Sequence, residues 1–449
     1  MPENILNYPR NFSIGFIGLG ISNMPVAKML KDQGYAVSLR DKKVQPAIDG
    51  FDCFFGENYL SDIYENVLFL APAVRPDLPE LVKAKENGVI ITNEVNEFLR
   101  LRKGRVIAVT GSDGKTTTTT LIYEILKASG VKVNLGGNIG ANLLVNLENE
   151  DENTVTVCEL SSFQLMKTRY APDVAVITNI SPNHLDWHKG MEEYIESKKN
   201  IFKFMQKGFC VLNADDKTSM SFTDEIPVKT VFISGEKRLD NGVWFDDNAI
   251  YLGNQKILDL KDIFIPGRHN VYNYSQAIAA TCGYTTRYII EETAKAFKGV
   301  PHRIQLVGEL DGVKFYNSSI DSSPTRTAAA LNSFNQKLIV IAGGYDKKIP
   351  LEPLGELFSK KAKHVVLMGT TAGKIDEILK KVNFTGAVKT VSSLEDAVNE
   401  AYSLANEGDI IILSPAAASF DMFKNFEERG DRFANIVANL IKTRHGKSV

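Results

Sequence analysis

The sequence predicts an α/β protein of three domains, at 1–100, 101–298 and 299–449, each built on a mostly parallel sheet. Three observations carry this. Apolar, β-branched runs recur along the chain, each closed by a glycine or polar turn and followed by apolar residues at helical spacing, the alternation of a sheet flanked by helices. The length of 449 residues suits about three domains of ordinary size. The stretch 105–120, R-V-I-A-V-T-G-S-D-G-K-T-T-T-T-T, reads as strand, glycine turn, Lys-Thr and helix in that order, the context a phosphate-binding loop requires.

Composition narrows the classes. Hydrophobic residues make up 44% and charged residues 24%, as in an ordinary globular protein, and the net charge of −2 implies no basic surface for nucleic acid. Cys53, Cys158, Cys210 and Cys282 lie far apart, with no C-x-x-C pair to suggest zinc or a disulfide framework. Residues 1–11 lack an apolar leader, and no apolar run is long enough to span a bilayer. A reducing cytoplasm is the expected location.

In the first segment, Ser13–Ile17 reads as a strand, Gly18-Leu19-Gly20-Ile21-Ser22-Asn23 as its turn, and Val26, Met29 and Leu30 as the face of a helix. A second strand, Val37–Leu39, ends at Asp41. This is close to a Rossmann fingerprint with an acidic residue about 20 positions on, except that Asn23 replaces the third glycine. Val67–Leu70 and Val89–Ile91 give further strands. Alone, the segment suggests a dinucleotide-binding oxidoreductase.

In the second segment, Gly111 and Gly114 let the backbone approach an anion, and the N–H groups opening the helix point at phosphate oxygens. Lys115 can neutralise β/γ-phosphate charge, and the Thr116 hydroxyl can ligate Mg²⁺. Val109 stands where the common loop has its first glycine, so this loop is shorter. Residues 136–140, G-G-N-I-G, read as a loop facing a ligand. The strand 154–158 ends at Glu159, a carboxylate placed for Mg²⁺ beside the phosphate loop. Val174–Ile177 leads to Thr178 and the string 179–186, N-I-S-P-N-H-L-D, in which His184 beside Asp186 is a candidate ligand. Lys198 and Lys199 lie on a helix, 191–204. Asn270 and Asn273 carry amides able to read an adenine edge.

The third segment holds strands at Val313–Asn317, Leu338–Ile341, Val365–Met368 and Ile410–Leu413. Lys347 follows one of them. The last runs into 414–430, S-P-A-A-A-S-F-D-M-F-K-N-F-E-E-R-G, read as a strand and a helix start capped by Ser419.

These strings together resemble the Mur ligases and the related folylpolyglutamate synthases. T-G-x-x-G-K-T-T, E-L-S-S-F-Q-L from Glu159, N-I-S-P-N-H-L-D, L-N-A-D-D from Leu212, G-R-H-N-V-Y-N from Gly267 and the 414–430 string occur in family order over nearly the whole chain. The last is most similar to the branch that adds D-glutamate. The resemblance implies an ATP-dependent acid–amino-acid ligase of peptidoglycan synthesis. It would join D-glutamate to UDP-N-acetylmuramoyl-L-alanine through an acyl phosphate, as a cytoplasmic monomer with small-molecule partners and no nucleic acid or membrane. It implies a Rossmann-like first domain, a central P-loop domain and a Rossmann-like third domain.

The resemblance also assigns residues. Gly111, Ser112, Asp113, Gly114, Lys115, Thr116 and Thr117 would hold the ATP phosphates, Asn270 and Asn273 the adenine, and Arg303 the γ-phosphate. Ile21, Ser22 and Asp41 would meet the uridine, with Asn138 and Ser161 on the rest of the UDP substrate. Two Mg²⁺ ions would be held by Thr116, Glu159, His184 and a carbamylated Lys198, and Lys115, His184 and Lys198 would be the catalytic set. Lys347, Ser419, Phe420 and Phe426 would bind D-glutamate. Departures stand at Ala71 and Ala73, where Ser and Gly are usual, and at Ala417, where Cys is usual. In the family's N-D-S-x-x-[ST] loop, Ser318 replaces the Asp and Ile320 stands where Lys is common; this loop is expected to meet the nucleotide.

Overall fold

A computed structural model describes residues 6–185 and 187–445; Asp186, part of the expected ligand string, lies outside them. Among the described residues there are three sheets. The first joins β1 (Ser13–Ile17), β2 (Ala36–Asp41), β3 (Asp52–Phe55), β4 (Val67–Leu70) and β5 (Ile90–Thr92). Their order is β3-β2-β1-β4-β5, all parallel. Helices α1 (Asn23–Asp32), α2 (Pro79–Glu86) and α3 (Glu94–Leu101) accompany it.

Asn23 explains the imperfect fingerprint. It is wholly buried, and its amide nitrogen donates to the carbonyls of Ile17, Gly18 and Phe69 at 3.1, 2.9 and 3.3 Å. A side chain here ties the glycine turn to β1 and β4, where a third glycine would only permit close packing. Asn23→Gly, which restores the fingerprint, is therefore expected to destabilise the protein by about 1–3 kcal/mol through unpaired buried carbonyls and helix entropy. Urea unfolding would show it; an unchanged midpoint would refute the account.

The second sheet contains β6 (Arg105–Thr110), β7 (Val133–Gly137), β8 (Val155–Glu159), β9 (Val174–Ile177) and β10 (Phe209–Asn213). It extends through β11 (Lys229–Ser234), β12 (Val243–Phe245), β13 (Ala249–Leu252) and β14 (Gln255–Asp259). The order is β14-β13-β12-β11-β10-β9-β6-β8-β7, parallel except for the last two pairings, β12 with β13 and β13 with β14. Its helices are α4 (Lys115–Ala128), α5 (Ser162–Leu165), α6 (Met191–Lys203), α7 (Lys217–Met220), α8 (Arg268–Ala280) and α9 (Arg287–Ala296). Gly136 and Gly137, expected in a loop, instead end β7. They are glycines because a Cβ on Gly136 would meet the Ala141 carbonyl and one on Gly137 the backbone of Glu159.

The third sheet is β15 (Gln305–Leu310), β16 (Val313–Asn317), β17 (Leu338–Ala342), β18 (Ala362–Leu367), β19 (Val388–Thr390) and β20 (Ile410–Leu413), ordered β15-β16-β20-β17-β18-β19. Only the β15–β16 pair is antiparallel. Helices α10 (Pro324–Asn332), α11 (Pro353–Lys361), α12 (Ala372–Lys381), α13 (Leu394–Ser403) and α14 (Phe426–His445) cover it.

The three sheets fall into two compact units. One takes the chain to Leu260 with Val271–Thr293; the other takes Lys261–Asn270 and the chain from Ala294. The first two sheets share a unit because α3 is stitched to the central sheet by buried polar groups. Asn93 Nδ2 donates to the Gln164 carbonyl at 2.9 Å, Arg169 N–H to Asn96 Oδ1 at 2.7 Å, and Leu143 N–H to Glu94 Oε1 at 2.6 Å. Burial pushes the Glu94 carboxyl up to about 7. One continuous apolar core runs from Leu6 through Phe98 and Val106 to Phe222.

Candidate active site

In the first unit, the apolar strand β6 is buried, and its carboxyl end turns through Gly111 to Gly114 into α4. Gly111 has φ +146° and Gly114 φ +76°, conformations an L side chain rarely adopts. A Cβ on Gly111 would strike Thr178, and one on Gly114 would strike Asn273. The loop is thus moulded on its neighbours. Thr178 Oγ1 and Asn179 Nδ2 donate to the Asp113 carbonyl at 2.6 and 3.1 Å, and Asn179 Oδ1 accepts from the Asp113 N–H at 3.2 Å. The Ser112 hydroxyl lies 2.9 Å from Tyr194 OH and 2.8 Å from the Ser181 carbonyl. Lys115 Nζ donates to the Ser112 carbonyl at 2.8 Å, so the amine is folded over the cradle. Thr116 and Thr117 open α4, and Thr118 Oγ1 reaches Asn273 Oδ1 at 3.2 Å.

Glu159 closes β8, the strand beside β6. It is buried; Asn138 Nδ2 donates to Oε1 at 2.7 Å, while Oε2 has no hydrogen-bond partner. A buried carboxyl oxygen without a partner is costly unless a donor or a cation meets it. A hard cation such as Mg²⁺ suits that donor.

Lys198, on α6, is 2% exposed, and its Nζ donates to the Gly111 carbonyl at 2.7 Å and to Thr110 Oγ1 at 3.3 Å. Desolvation, and next Lys115, hold this amine well below the ordinary lysine range despite Glu159 and Asp113. Lys199 points elsewhere, pairing with Glu196 at 2.7 Å and Glu225 at 2.6 Å. The geometry thus distinguishes two adjacent lysines that the sequence leaves equivalent.

Not every expected residue joins this cradle. His184 is exposed, with φ +55°, its ring edge-on to Phe163 at 5.0 Å. Among the described residues no group of three or more His, Cys, Asp or Glu side chains is arranged to hold a metal ion. Ser161 accepts from Gln164 N–H in a capping box that opens α5. At the end of the first sheet, Asp41 accepts from Leu19 N–H at 2.9 Å and Lys43 N–H at 2.8 Å, bridging the glycine turn to β2. Ile21 beside it is 92% exposed, and the Ser22 carbonyl accepts from Asn142. The Ala71–Ala73 turn is held without its usual Ser and Gly. Lys167 Nζ donates to the Ala71 and Pro72 carbonyls at 3.0 and 2.8 Å, and Trp187 Nε1 to the Ala73 carbonyl at 3.0 Å. Lys167, Thr178 and Asn179 have no role assigned from the sequence; the last two directly follow a buried strand beside β6, which is the available signal.

In the second unit, Asn270 lies in the first turn of α8, its Nδ2 donating to the Pro266 carbonyl at 2.6 Å. The expected helix start at Ser419 is corrected. Residues 419–423 form a turn in which the Ser419 carbonyl accepts from Met422 and Phe423 N–H at 3.1 and 2.8 Å. The helix begins at Phe426, where Asn425 Oδ1 accepts from Glu428 N–H at 2.8 Å. Arg429, wholly buried on α14, holds the chain just ahead of this turn. It donates to the carbonyls of Ala417, Ala418 and Ser319 at 3.2, 3.0 and 2.8 Å. Tyr345 N–H adds a 2.9 Å bond to the Ala418 carbonyl. Ser419 is buried and Phe420 is 64% exposed, against Tyr345. Lys347 Nζ donates to Ser322 Oγ at 3.4 Å, and desolvation by burial, then Arg326, lower its pKa. Phe426 stands edge-on to His302 at 6.1 Å.

A glycine-cornered turn with a lysine folded over it, and a buried carboxylate one strand away, is the arrangement expected of a phosphate-binding loop. Residues 109–281 match the Mur ligase middle domain and residues 302–417 the Mur ligase glutamate ligase domain. The chain is 45% identical to the UDP-N-acetylmuramoylalanine--D-glutamate ligase of Acetivibrio thermocellus, over 96% of this chain and 97% of that one. It is 44% identical to the same-named protein of Clostridium botulinum, over 95% and 96%. The chain belongs to the Mur ligase family. Among solved structures, the UDP-N-acetylmuramate-alanine ligase MurC of Thermotoga maritima aligns with a TM-score of 0.61 at 20% identity, covering 96% of this chain and 100% of that one; this shows likeness of fold.

Proposed function

We propose that this protein is an ATP-dependent ligase that adds D-glutamate to UDP-N-acetylmuramoyl-L-alanine in peptidoglycan synthesis. The single observation that carries the activity is the Gly111–Lys115 cradle with Glu159 and Lys198 around it; the substrates follow from the relatives that match end to end. The substrate carboxylate attacks the γ-phosphorus in line, the bond to ADP breaks, and an acyl phosphate results. The D-glutamate amine then attacks the acyl carbon, an amide forms, and phosphate leaves. Lys115 and the α4 N–H groups hold the phosphoryl oxygens, with Gly111, Ser112, Asp113, Gly114, Thr116 and Thr117 shaping the cradle, and Arg303 supplies a further guanidinium for phosphate charge. Asn270 and Asn273 are assigned to the adenine. Ile21, Ser22, Asp41, Asn138 and Ser161 are assigned to the UDP substrate.

Thr116, Glu159, His184 and a carbamylated Lys198 would hold two Mg²⁺ ions, which when bound neutralise charge on the transferring phosphoryl group. The partner-free Oε2 of Glu159 supports this. Carbamylation needs a neutral amine, and the desolvation that lowers the Lys198 pKa favours that form. This reading keeps three functional domains, at 1–100, 101–298 and 299–449, with Rossmann-like first and third domains, and a cytoplasmic monomer.

Purified protein should release phosphate from ATP only when both UDP-N-acetylmuramoyl-L-alanine and D-glutamate are present. Tight binding of a nicotinamide dinucleotide without ATP turnover would overturn this in favour of the oxidoreductase that the 13–41 segment suggests. Release driven by another amino acid would move the protein elsewhere in the superfamily.

For the amino-acid site, Lys347, Ser419, Phe420 and Phe426 remain the assignment. Lys347→Ala and Ser419→Ala are each expected to raise the D-glutamate KM about tenfold, one lost polar contact each, while the KM values for ATP and the UDP-sugar change less than about twofold. Equal weakening for all three substrates would remove these residues from the site.

A further inference from the structure

Asp321 is a buried carboxylate that the proposed reaction does not use. It is 5% exposed and lies in the loop between β16 and α10. Ser414 Oγ, just past the end of β20, donates to Asp321 Oδ2 at 2.8 Å, and the Ser318 hydroxyl donates to the same carboxylate. Ser318 Oγ in turn accepts from the Ile304 N–H at 3.3 Å. The result is an unbroken chain: Ile304 N–H, Ser318 hydroxyl, Asp321 carboxylate, Ser414 hydroxyl.

That chain ends on a strained backbone. His302 has φ +62° and Ile304 φ +45°, one on each side of Arg303. A β-branched residue in the left-handed region persists only where its surroundings hold it. His302 is held by its N–H bond to Gln305 Oε1 at 3.1 Å, and its carbonyl accepts from Ile320 N–H at 3.1 Å. Ile304 is held by Ser318. The Arg303 guanidinium and, beyond it, Arg326 lie within electrostatic reach of Asp321.

We propose that Asp321 is a positioning residue for Arg303: through Ser318 it holds the Ile304 N–H, and so fixes the strained backbone on either side of the arginine assigned above to phosphate charge. The inference rests on the proposed ATP-dependent function. A carboxylate at 318 would meet the Ile304 N–H directly; here the serine hydroxyl spans the gap and hands the bond on to Asp321. Burial pushes the Asp321 carboxyl up to about 6. A folded pKa above the unfolded value stabilises the fold only at low pH, and that contribution is lost as pH rises through about 6. Near neutrality an ionised Asp321 therefore costs stability, as expected of a group retained for positioning.

The test uses the full chain and two readouts: steady-state KM values, and affinity for a non-hydrolysable ATP analogue by calorimetry. Asp321→Ala and the near-isosteric Asp321→Asn should each weaken ATP about tenfold or more, with the KM values of the other two substrates within about twofold. Asp321→Asn should melt no lower than the parent protein at pH 8. The double variant Ser318→Asp/Asp321→Ala should recover ATP affinity to within about threefold. ATP affinity unchanged in both single variants, a common loss for all substrates with a lowered melting point, or a double variant no better than Asp321→Ala would each overturn the proposal. The calorimetric arm requires no turnover, so it remains decisive even if the assignment of the other substrates fails.

Discussion

Lys115→Ala is expected to lower phosphate release by about a hundredfold to a thousandfold, with affinity for the UDP-sugar preserved. The magnitude follows from what the amine does. A charged donor preorganised in a phosphate cradle stabilises charge that develops only in the transition state, and removing one such donor costs roughly 3–4 kcal/mol. In this protein the amine is already held within the loop, 2.8 Å from the Ser112 carbonyl, so little reorganisation is needed to reach a phosphate oxygen. The loop itself is fixed by Thr178, Asn179 and Tyr194 rather than by Lys115. The variant should therefore fold normally, and circular dichroism should match the parent. Activity within tenfold of the parent would mean that the Gly111–Lys115 turn is not the phosphate site.

Lys198→Ala should cost about a hundredfold or more, and acetate or bicarbonate should restore part of the loss by placing a free carboxylate where the carbamate would stand. The paired control is Lys199→Ala. That lysine forms ion pairs with Glu196 and Glu225, whose side chains are about half exposed, and such pairs contribute about 0–1 kcal/mol. Its replacement should change activity less than about threefold. The comparison isolates the chemistry because both residues sit on one helix, and only one turns its amine onto the Gly111 carbonyl. If Lys199→Ala were the damaging change, the carbamate would belong to the neighbour and the cradle would need another anion near Glu159.

The parts visible in the sequence were those fixed by local rules. Buried parallel strands such as β6, β9 and β17 read as β-branched runs because helices cover both faces. The phosphate loop was legible because its glycines, lysine and threonine are adjacent in sequence. What tertiary pairing decides was hidden. The short strands β12 to β14 carry mixed polar and apolar residues and exist as strands because β11 supplies a partner on one side. Ser419 looked like a cap because serine precedes a helix; in the structure the chain turns at Ser419 and the helix starts only at Phe426, with Asn425 Oδ1 accepting from Glu428 N–H. Asn23 looked like a lapse from a pattern, and it proves to hold a turn that the pattern secures by a glycine. Nor does periodicity reveal that α3 packs with both the first and the second sheet, because its polar partners lie some fifty to seventy residues away along the chain.

That sharing by α3 bears on how the chain is made. Residues 6–101 leave the ribosome before residues 143–169, on which Asn93 Nδ2, Glu94 Oε1 and Asn96 Oδ1 find partners at Gln164, Leu143 and Arg169. Until some seventy further residues have emerged, these three polar atoms lack their long-range partners, and the part of the core from Val106 onward is missing. The nascent N-terminal sheet must wait in a loose state, and a gene fragment ending near residue 102 should yield a sticky, poorly ordered product instead of a tidy nucleotide-binding module.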